Sequence, residues 1–254
     1  MQAFVAQATA QLSPGETAVI SSEILSGHPF YGGRESEVYA ERLKRVAPNA
    51  KILISIRNQM QILPSVYMQY VLRGGTMPPE QFFQGTEEPG YFAFAPEHFE
   101  YDLLVRHYQN LFGAMNVYIL TQESLQRDMA DATARLAAFA GNTRFAGLAP
   151  AEQRPVGISY PEYAIPILRR INHIQRSQIN PRPIVSVGMT PRGLYKLAGY
   201  MLKVPFLTRR FKGRKPVSDH VRKRFANRYA DSNLRLAELV AHPLDLSGYD
   251  GVAQ

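Results

Sequence analysis

The sequence predicts an α/β fold in which a parallel sheet is flanked by helices and followed by a basic, mainly helical C-terminal part. Three short apolar runs alternate with segments of helical periodicity up to Gly141. The connections between these runs are long enough to hold a crossover helix, which favours parallel pairing. Beyond Gly141 the strand signal is lost. We expect one domain over residues 1–254, with an α/β core at 1–141 and a helical part at 142–254.

The three apolar runs are the predicted strands. Residues 17–22 (TAVISS) are rich in β-branched side chains, residues 51–56 form a near-continuous apolar run, and residues 116–121 (NVYILT) form the third. Continuous apolar strands are typical of a sheet covered on both faces. We therefore expect two or three β–helix–β units.

Helices are expected between and after the strands. Gly74 and Gly75 end one of them, Gly141 ends another, and Pro64 is tolerable only in a first turn. In the C-terminal part, residues 147–160 are loop-like and residues 180–188 form a connector. The predicted helices are residues 35–46, 60–72, 97–112, 124–140, 161–176, 191–202 and 219–240, and residues 78–84 are a short helix or loop.

Composition excludes several classes of function. The chain has 254 residues, of which 45% are hydrophobic and 20% charged, as in ordinary globular proteins. It has no cysteine, which removes disulfides, thiolate metal sites and a cysteine nucleophile. Five of the six histidines show no spacing typical of a metal site: His98, His107, His173, His220 and His242. With no apolar run of about 18 residues and no signal-peptide pattern, we expect a cytoplasmic protein.

Positive charge is concentrated near the C-terminus. The net charge is +8, but residues 192–228 alone carry twelve Lys and Arg against one acid, Asp219, so this segment is +11 and the remainder −3. Such a surface attracts polyanions, or is a solvated face that improves solubility.

An anion site is expected where the second strand ends. Arg57 follows this strand directly, and Ser65 lies in the helix that comes next. Ligands of parallel sheets bind at the carboxyl ends of strands, next to helix N-termini with free N–H groups. An arginine fork and a serine hydroxyl are suitable donors to a phosphate. An arginine at a strand end can equally be solvated or salt-bridged.

This segment resembles a known family. Arg57-Asn58, followed by Ser65 and Tyr67, is similar to the 3′-phosphate-binding segment of sulfotransferases that use 3′-phosphoadenosine-5′-phosphosulfate (PAPS). Gln59 and Gln61 stand where that family has Pro and Asp. YVLRGGT at residues 70–76 also resembles the bacterial branch of the family.

Weaker similarities follow in the expected order. They are FEYDLLVRHYQNLFGAMNVYIL at 99–120, TQESLQRDMADATARLAAFAG at 121–141, and ADSNLRLAEL and PLDLSGY within 229–249. The resemblance therefore spans residues 21–249 and implies a sulfotransferase-like fold of the P-loop superfamily. Glu123 and Ser124 are expected to be structural, as a helix cap.

One family feature is not found in this chain. In the family, a P-loop-like turn with a basic residue and Gly-Thr-Thr holds the 5′-phosphosulfate, and nothing of that form precedes residues 17–22. The nearest candidate, residues 184–196 (IVSVGMTPRGLYK), follows the Arg57 segment instead of preceding it. Either the chain is a fragment of a longer protein, which we favour, or it is a degenerate member. Residues 1–12 read as the amphipathic helix that would follow the loop.

The resemblance also suggests a catalytic base and a lid. In the family the base lies at the end of the strand before the arginine-bearing strand, which here is Glu23, and His28 is the second choice. A partly buried Glu23 would have a raised pKa suited to that role. Lys212, Gly213 and Arg214 occupy the place of the family's C-terminal segment that closes over the 3′-phosphate.

The function implied by the resemblance is transfer of a sulfuryl group from PAPS to a hydroxyl-bearing acceptor, releasing PAP, with no metal required. A carbohydrate hydroxyl is the first expectation for the acceptor, and no specific nucleic acid partner is expected. The alternative is a non-catalytic or degenerate module whose basic C-terminal face binds nucleic acid, acidic polysaccharide or an anionic membrane.

Overall fold

The fold is α/β, with a small two-stranded parallel sheet among helices. The computed structural model describes residues 2–88, 91, 93–153, 160–183, 185–190, 192, 196–198, 200, 204–211 and 213–252. The strands are β1 (Ile52–Ile56) and β2 (Val117–Thr121). The helices are α1 (Gln2–Ala10), α2 (Ser36–Val46), α3 (Gln59–Leu72), α4 (Pro79–Phe83), α5 (Tyr101–Phe112), α6 (Gln122–Arg127), α7 (Met129–Ala140), α8 (Ile165–Asn172), α9 (Pro205–Phe211), α10 (Pro216–Phe225) and α11 (Ala230–Leu239).

The two strands pair in parallel, with Ile52 opposite Val117. The predictions for residues 51–56 and 116–121 are therefore confirmed. The two strands differ in burial, because every residue of β2 is buried whereas β1 alternates. Leu53 on β1 is 43% exposed and Ser55 is also exposed, so one face of β1 is open to solvent. The expectation that this strand is covered on both faces is wrong.

The predicted strand at residues 17–22 is absent. These residues take no regular structure, and Val19 and Ile20 are 79% and 57% exposed. A strand requires a hydrogen-bonding neighbour, and β1 and β2 pair only with each other among the described residues. The prediction was wrong because it rested on β-branched composition alone. The described part of the chain contains one β–helix–β unit.

A histidine covers part of the outer edge of β2. The backbone N–H of Ile119 donates to His242 Nε2 at 3.0 Å, and the His242 ring stacks on Tyr118 with ring centres 4.2 Å apart. Burial lowers the pKa of His242, which keeps its ring neutral and able to accept at neutral pH. A side chain thus takes the place of a third strand here.

Two predicted long helices are each broken in two. The prediction over 124–140 becomes α6 and α7, because Asp128 has extended backbone angles and its side chain accepts the Asp131 N–H. The prediction over 219–240 becomes α10 and α11, separated by a turn in which Asn227 has φ +60°. Polar residues that cap a helix end the helical hydrogen bonding even where the apolar periodicity continues.

Smaller differences occur elsewhere. The segment predicted as one helix over 97–112 is a 3₁₀ turn (Pro96–Phe99) followed by α5, and α8 covers only the middle of 161–176. Helix α9, at Pro205–Phe211, was not predicted from the sequence. The predicted helix at 191–202 falls largely outside the described residues. Of the loop candidate at 184–196, residues 185–190 are described and form no helix, and Met189 makes an isolated parallel bridge to Arg176.

Helix α3 is at the centre of the core. Helices α8 and α10 pack against it, while α5 packs against α2 and α11. Pro64 lies in the second turn of α3 and not in the first, so the prediction about its position is wrong. Because proline has no N–H, the Met60 carbonyl lacks its usual helical partner. The buried side chains on and around α3 are largely aromatic: Tyr67, Tyr70, Phe82, Phe83, Tyr91, Phe94 and Phe225.

Candidate functional site

Arg57 and Ser65 are in contact. Arg57 follows β1 directly, and its Nη1 lies 3.3 Å from Ser65 Oγ, while Nη2 lies 3.4 Å from Gln61 Oε1. Both distances are longer than the usual range of N–H···O bonds, so the guanidinium is only weakly held by these two acceptors. The structure therefore brings together the two residues that the sequence singled out.

The charge of Arg57 is not compensated. Its Nε is buried without a hydrogen-bond partner, and no carboxylate lies within 4.0 Å among the described ion pairs. The side chain is half-buried, and charged groups in that position are normally paired. A guanidinium with free donors at the end of a parallel strand fits a phosphate oxygen.

The backbone N–H groups at the start of α3 are less available to a ligand than expected. The Asn58 N–H donates to Glu123 Oε1 at 3.0 Å, and the Met60 N–H donates to the Asn58 side chain at 2.8 Å. These two N–H groups are therefore not free for a ligand. Anion binding at this end of α3 consequently relies mainly on the side chains of Arg57 and Ser65.

Contacts from other elements hold the strand end in place. The Tyr101 hydroxyl on α5 donates to the Arg57 carbonyl at 2.7 Å. Burial raises the pKa of Tyr101, which therefore stays protonated and able to donate. Gln59, which stands where the family that the sequence resembles has proline, is buried and donates to the Phe99 carbonyl at 3.2 Å and to Asn233 Oδ1 at 2.9 Å. The Gln59 side chain thus anchors the start of α3.

Glu123 and Ser124 are structural, as predicted, but the cap is a neighbouring residue. Thr121 is the N-cap of α6, and its Oγ1 accepts the Ser124 N–H at 3.1 Å. Glu123 Oε2 accepts from the Tyr249 hydroxyl at 2.9 Å. Glu123 therefore ties the C-terminal segment to the start of α3.

One polar ridge runs along the solvent-facing side of α3. It consists of Gln61, Ser65, Gln69 and Arg73, spaced four residues apart, and we call it the α3 ridge. Most of the remaining α3 residues are buried. Arg57 lies beside its first two members, so an arginine is found at each end of the ridge.

Arg73, which the sequence interpretation missed, contacts the loop that carries His28. Its Nη1 lies 3.5 Å from His28 Nε2, and its guanidinium carbon lies 4.7 Å from the centre of the Phe30 ring. His28 Nδ1 accepts the Phe30 N–H at 3.1 Å. Burial and the Arg73 charge lower the pKa of His28, and Glu23 opposes them. The spacing of Arg73 from Ser65 was the available signal.

Glu23 is not the half-buried carboxylate that was expected. It lies in an exposed 3₁₀ turn (Glu23–Ser26), because residues 17–22 do not form the strand that would have carried it into the sheet. Its charge nevertheless acts on His28. The two candidate bases are therefore neighbours, near the Arg73 end of the ridge.

The C-terminal lid candidates do not join this site in the described contacts. Gly213 and Arg214 are both exposed, and the Arg214 guanidinium lies 5.0 Å from the Phe211 ring centre. Phe211 in turn contacts the ring of Tyr163. None of the described contacts links them to Arg57 or Ser65. Lys212 lies outside the described residues.

A separate groove of about 370 Å³ lies along the outer edge of β2. Two arginines line it, but Arg127 pairs with Asp245 and Arg135 pairs with Asp131. Because these charges are already compensated, the groove is a weaker anion site than Arg57. Within the described part of the chain, no cluster of His, Asp and Glu is placed to hold a metal ion.

Comparisons with known proteins add no assignment. No protein-family model, curated protein or solved structure matches this chain significantly. None of the described helices is both long and apolar enough to cross a bilayer.

Proposed function

We propose that this chain is a PAPS-dependent sulfotransferase domain that transfers a sulfuryl group to a hydroxyl acceptor, with a carbohydrate hydroxyl as the favoured acceptor class. In this assignment β1 and β2 belong to the parallel sheet of a sulfotransferase-like member of the P-loop superfamily, and α3 is the helix that follows β1. The observation that carries the proposal is the uncompensated guanidinium of Arg57 in contact with Ser65.

The residues at this point fit a nucleotide 3′-phosphate. Arg57 offers a buried Nε–H and two weakly engaged Nη groups, and Ser65 offers a hydroxyl. Gln61 affects the charge balance at Arg57, because it stands where the sulfotransferase family has an Asp. A neutral amide leaves the arginine charge unpaired, whereas an Asp would be a competing anion.

Glu23 is the better of the two candidate bases. PAPS would supply the sulfuryl group, and the chain must accept a proton from the attacking hydroxyl. His28 Nδ1 is occupied by the Phe30 N–H, so its neutral ring carries a proton on Nε2 and cannot accept another there. The exposed Glu23 carboxylate is free of that restriction.

Calorimetric titration with PAP tests the nucleotide assignment. We expect Arg57→Ala to weaken PAP binding at least tenfold, since hydrogen bonds to a charged group contribute about 1.5–3 kcal/mol. The matched control is Arg127→Ala, which removes an exposed arginine already paired with Asp245 and should leave PAP affinity unchanged. Equal PAP affinity in wild type and Arg57→Ala would rule the proposal out.

The second candidate function is polyanion binding by the basic C-terminal face. The observation in its favour is that the described basic residues of α9, α10 and the segment between them are exposed: Arg209, Arg210, Arg214, Lys215, Arg222, Lys223 and Arg224. Only Arg222 among them has a described carboxylate partner, Asp219. Affinity for a sulfated polysaccharide that falls steeply with salt, together with no PAP binding, would favour this function.

A further inference from the structure

Large apolar side chains are exposed in α9 and in the residues just before it. Leu197, Tyr200, Val204 and Phe206 are each at least 46% exposed, and Phe206 reaches 76%. Single exposed apolar residues are ordinary, whereas several so close along the chain are typical of an interaction surface. Val204 and Phe206 are two positions apart, so their Cα atoms lie within about 7 Å of each other.

Helix α9 presents Phe206 on the side that faces away from the protein. Phe211, at the other end of the helix, contacts Tyr163, with ring centres 6.0 Å apart. At about 3.6 residues per turn, Phe206 and Phe211 point about 140° apart around the helix. The turn that carries Tyr163 is fixed, because Glu162 accepts from two backbone N–H groups at the start of α10, at 3.1 and 2.9 Å. Phe206 is therefore held outward on a fixed support.

Two arginines lie beside Phe206 on the exposed side of α9. Arg209 and Arg210 follow Phe206 by three and four positions, so each has its Cβ atom about 5–6 Å from that of Phe206. Both arginines are exposed, and neither has a carboxylate within 4.0 Å among the described ion pairs. Residues 192–218 contain eight Lys and Arg and no Asp or Glu. Apolar surface and uncompensated positive charge therefore lie side by side.

This combination fits an anionic phospholipid surface better than a soluble polyanion. Guanidinium groups bind lipid phosphates, and phenylalanine inserts at the boundary between headgroups and acyl chains. A single-stranded nucleic acid uses aromatic faces for stacking, and the aliphatic side chains of Leu197 and Val204 offer none. A sulfated polysaccharide would pair with the arginines and leave the aliphatic side chains in water. A lipid surface uses both the charges and the apolar side chains.

We propose that α9 is a docking surface for anionic phospholipid. Val204 and Phe206 insert between lipid headgroups, while the guanidinium groups of Arg209 and Arg210 bind lipid phosphate oxygens. The contact is peripheral and reversible, because so few inserted side chains bury too little apolar surface for permanent anchoring. This inference goes beyond sulfuryl transfer and does not depend on it.

Vesicle flotation of the full chain measures this binding. The vesicles are phosphatidylcholine alone or an equimolar mixture of phosphatidylcholine and phosphatidylserine. We expect binding to the mixed vesicles only, with an affinity that falls as the salt concentration rises. Phe206→Ser and the double variant Arg209→Gln/Arg210→Gln should each weaken binding about tenfold, since apolar insertion and charge both contribute.

Both changes have a matched control. Met115→Ser removes an apolar side chain that is 77% exposed, in the 3₁₀ turn before β2. The double variant Arg127→Gln/Arg144→Gln removes the same net charge, from two exposed arginines that pair with Asp245 and Glu16. Both controls should bind the mixed vesicles as wild type does. Thermal unfolding of each variant checks that the fold is retained.

A single tryptophan reports insertion directly, because the chain has none of its own. Mixed vesicles with brominated acyl chains should quench the fluorescence of Phe206→Trp, since bromine quenches only at short range. The same vesicles should not quench Met115→Trp. Phe206 and Met115 are almost equally exposed, so the comparison isolates position on the surface.

The outcomes separate lipid docking from other contacts. Vesicle binding without quenching of Phe206→Trp, or with Phe206→Ser equal to wild type, would mean that the cations act alone and would overturn the inference. No binding of wild type to the mixed vesicles would overturn it too, even where a sulfated polysaccharide binds. Titration with PAP is a separate readout, so the inference and the proposed function can each fail while the other stands.

Discussion

The backbone N–H of Asn58 donates to the carboxylate of Glu123 at 3.0 Å, which joins the start of α3 to the start of α6. The other oxygen of Glu123 accepts from the Tyr249 hydroxyl at 2.9 Å. One carboxylate therefore holds the ends of both parallel strands and the C-terminal segment together. Arg57 lies next to this junction, so its position depends on the junction.

Glu123→Ala should destabilise the protein by about 2–4 kcal/mol, because it leaves the N–H of Asn58 and the hydroxyl of Tyr249 without an acceptor. Urea denaturation measures the change. Glu123→Gln is the matched control, since its amide oxygen can still accept one of the two bonds, and it should cost less. A loss below about 0.5 kcal/mol for Glu123→Ala, as at an ordinary surface site, would contradict this role.

Asn172 should contribute as much to folding stability at the opposite end of α3. Its side chain is fully buried and donates to the carbonyls of Val71 at 2.8 Å and Gly75 at 2.9 Å. We expect Asn172→Ala to cost about 2–4 kcal/mol, since two carbonyls lose their donor. Thr190→Val, which removes only the hydroxyl that donates to Asn172 Oδ1, is the milder comparison. Equal losses in the two variants would mean that packing, not the two carbonyl bonds, explains the effect.

His98 should make stability depend on pH. Burial, with a smaller effect of the His28 charge, lowers the pKa of His98 to about 4. The unfolded chain has a histidine pKa of about 6.5, so it binds the proton more readily than the folded chain between these values. Stability should therefore be greatest above pH 6.5 and fall as the pH drops towards 4, by at most about 3 kcal/mol.

Denaturation curves at pH 7 and pH 4.5 for wild type and His98→Gln isolate this contribution. Carboxylates titrate in both proteins, so the difference between their pH slopes belongs to His98. We expect the variant to lose less stability on acidification than wild type. Identical slopes would show that His98 is not held neutral.

Glu23→Gln should lower sulfuryl transfer at least about 100-fold while PAP affinity stays unchanged, because general bases contribute about 10²–10⁴ to rate. The measurement is PAPS-dependent transfer to a panel of saccharides. Glu37→Gln, on the first turn of α2, is the control for loss of a nearby surface charge. Normal turnover in Glu23→Gln would exclude Glu23 as the base.

The parts of the fold that follow from local pattern were predictable. Both strands are short, mainly apolar runs, and the position of Arg57 at a strand end with Ser65 in the next helix predicted that the two residues share one site. The strand at residues 17–22 was wrong, because strand pairing depends on a distant partner that composition does not reveal.

Some features were not predicted because they depend on contacts between residues far apart in the sequence. Arg73 and His28 are 45 positions apart, and no pattern in either segment indicates that they meet. The helix breaks at Asp128 and Asn227 were missed for a local reason, since capping side chains and a left-handed residue interrupted an apolar periodicity that continues past them. Apolar periodicity predicts which face of a helix is buried but says less about where the helix ends.

The bond from the Ile119 N–H to His242 has a consequence for synthesis of the chain. His242 is made 123 residues after Ile119, so the outer edge of β2 stays open on the ribosome until residue 242 has been translated. Open strand edges of nascent chains are sites of self-association. Truncation before His242 should therefore favour aggregation, even though every residue of both strands is retained.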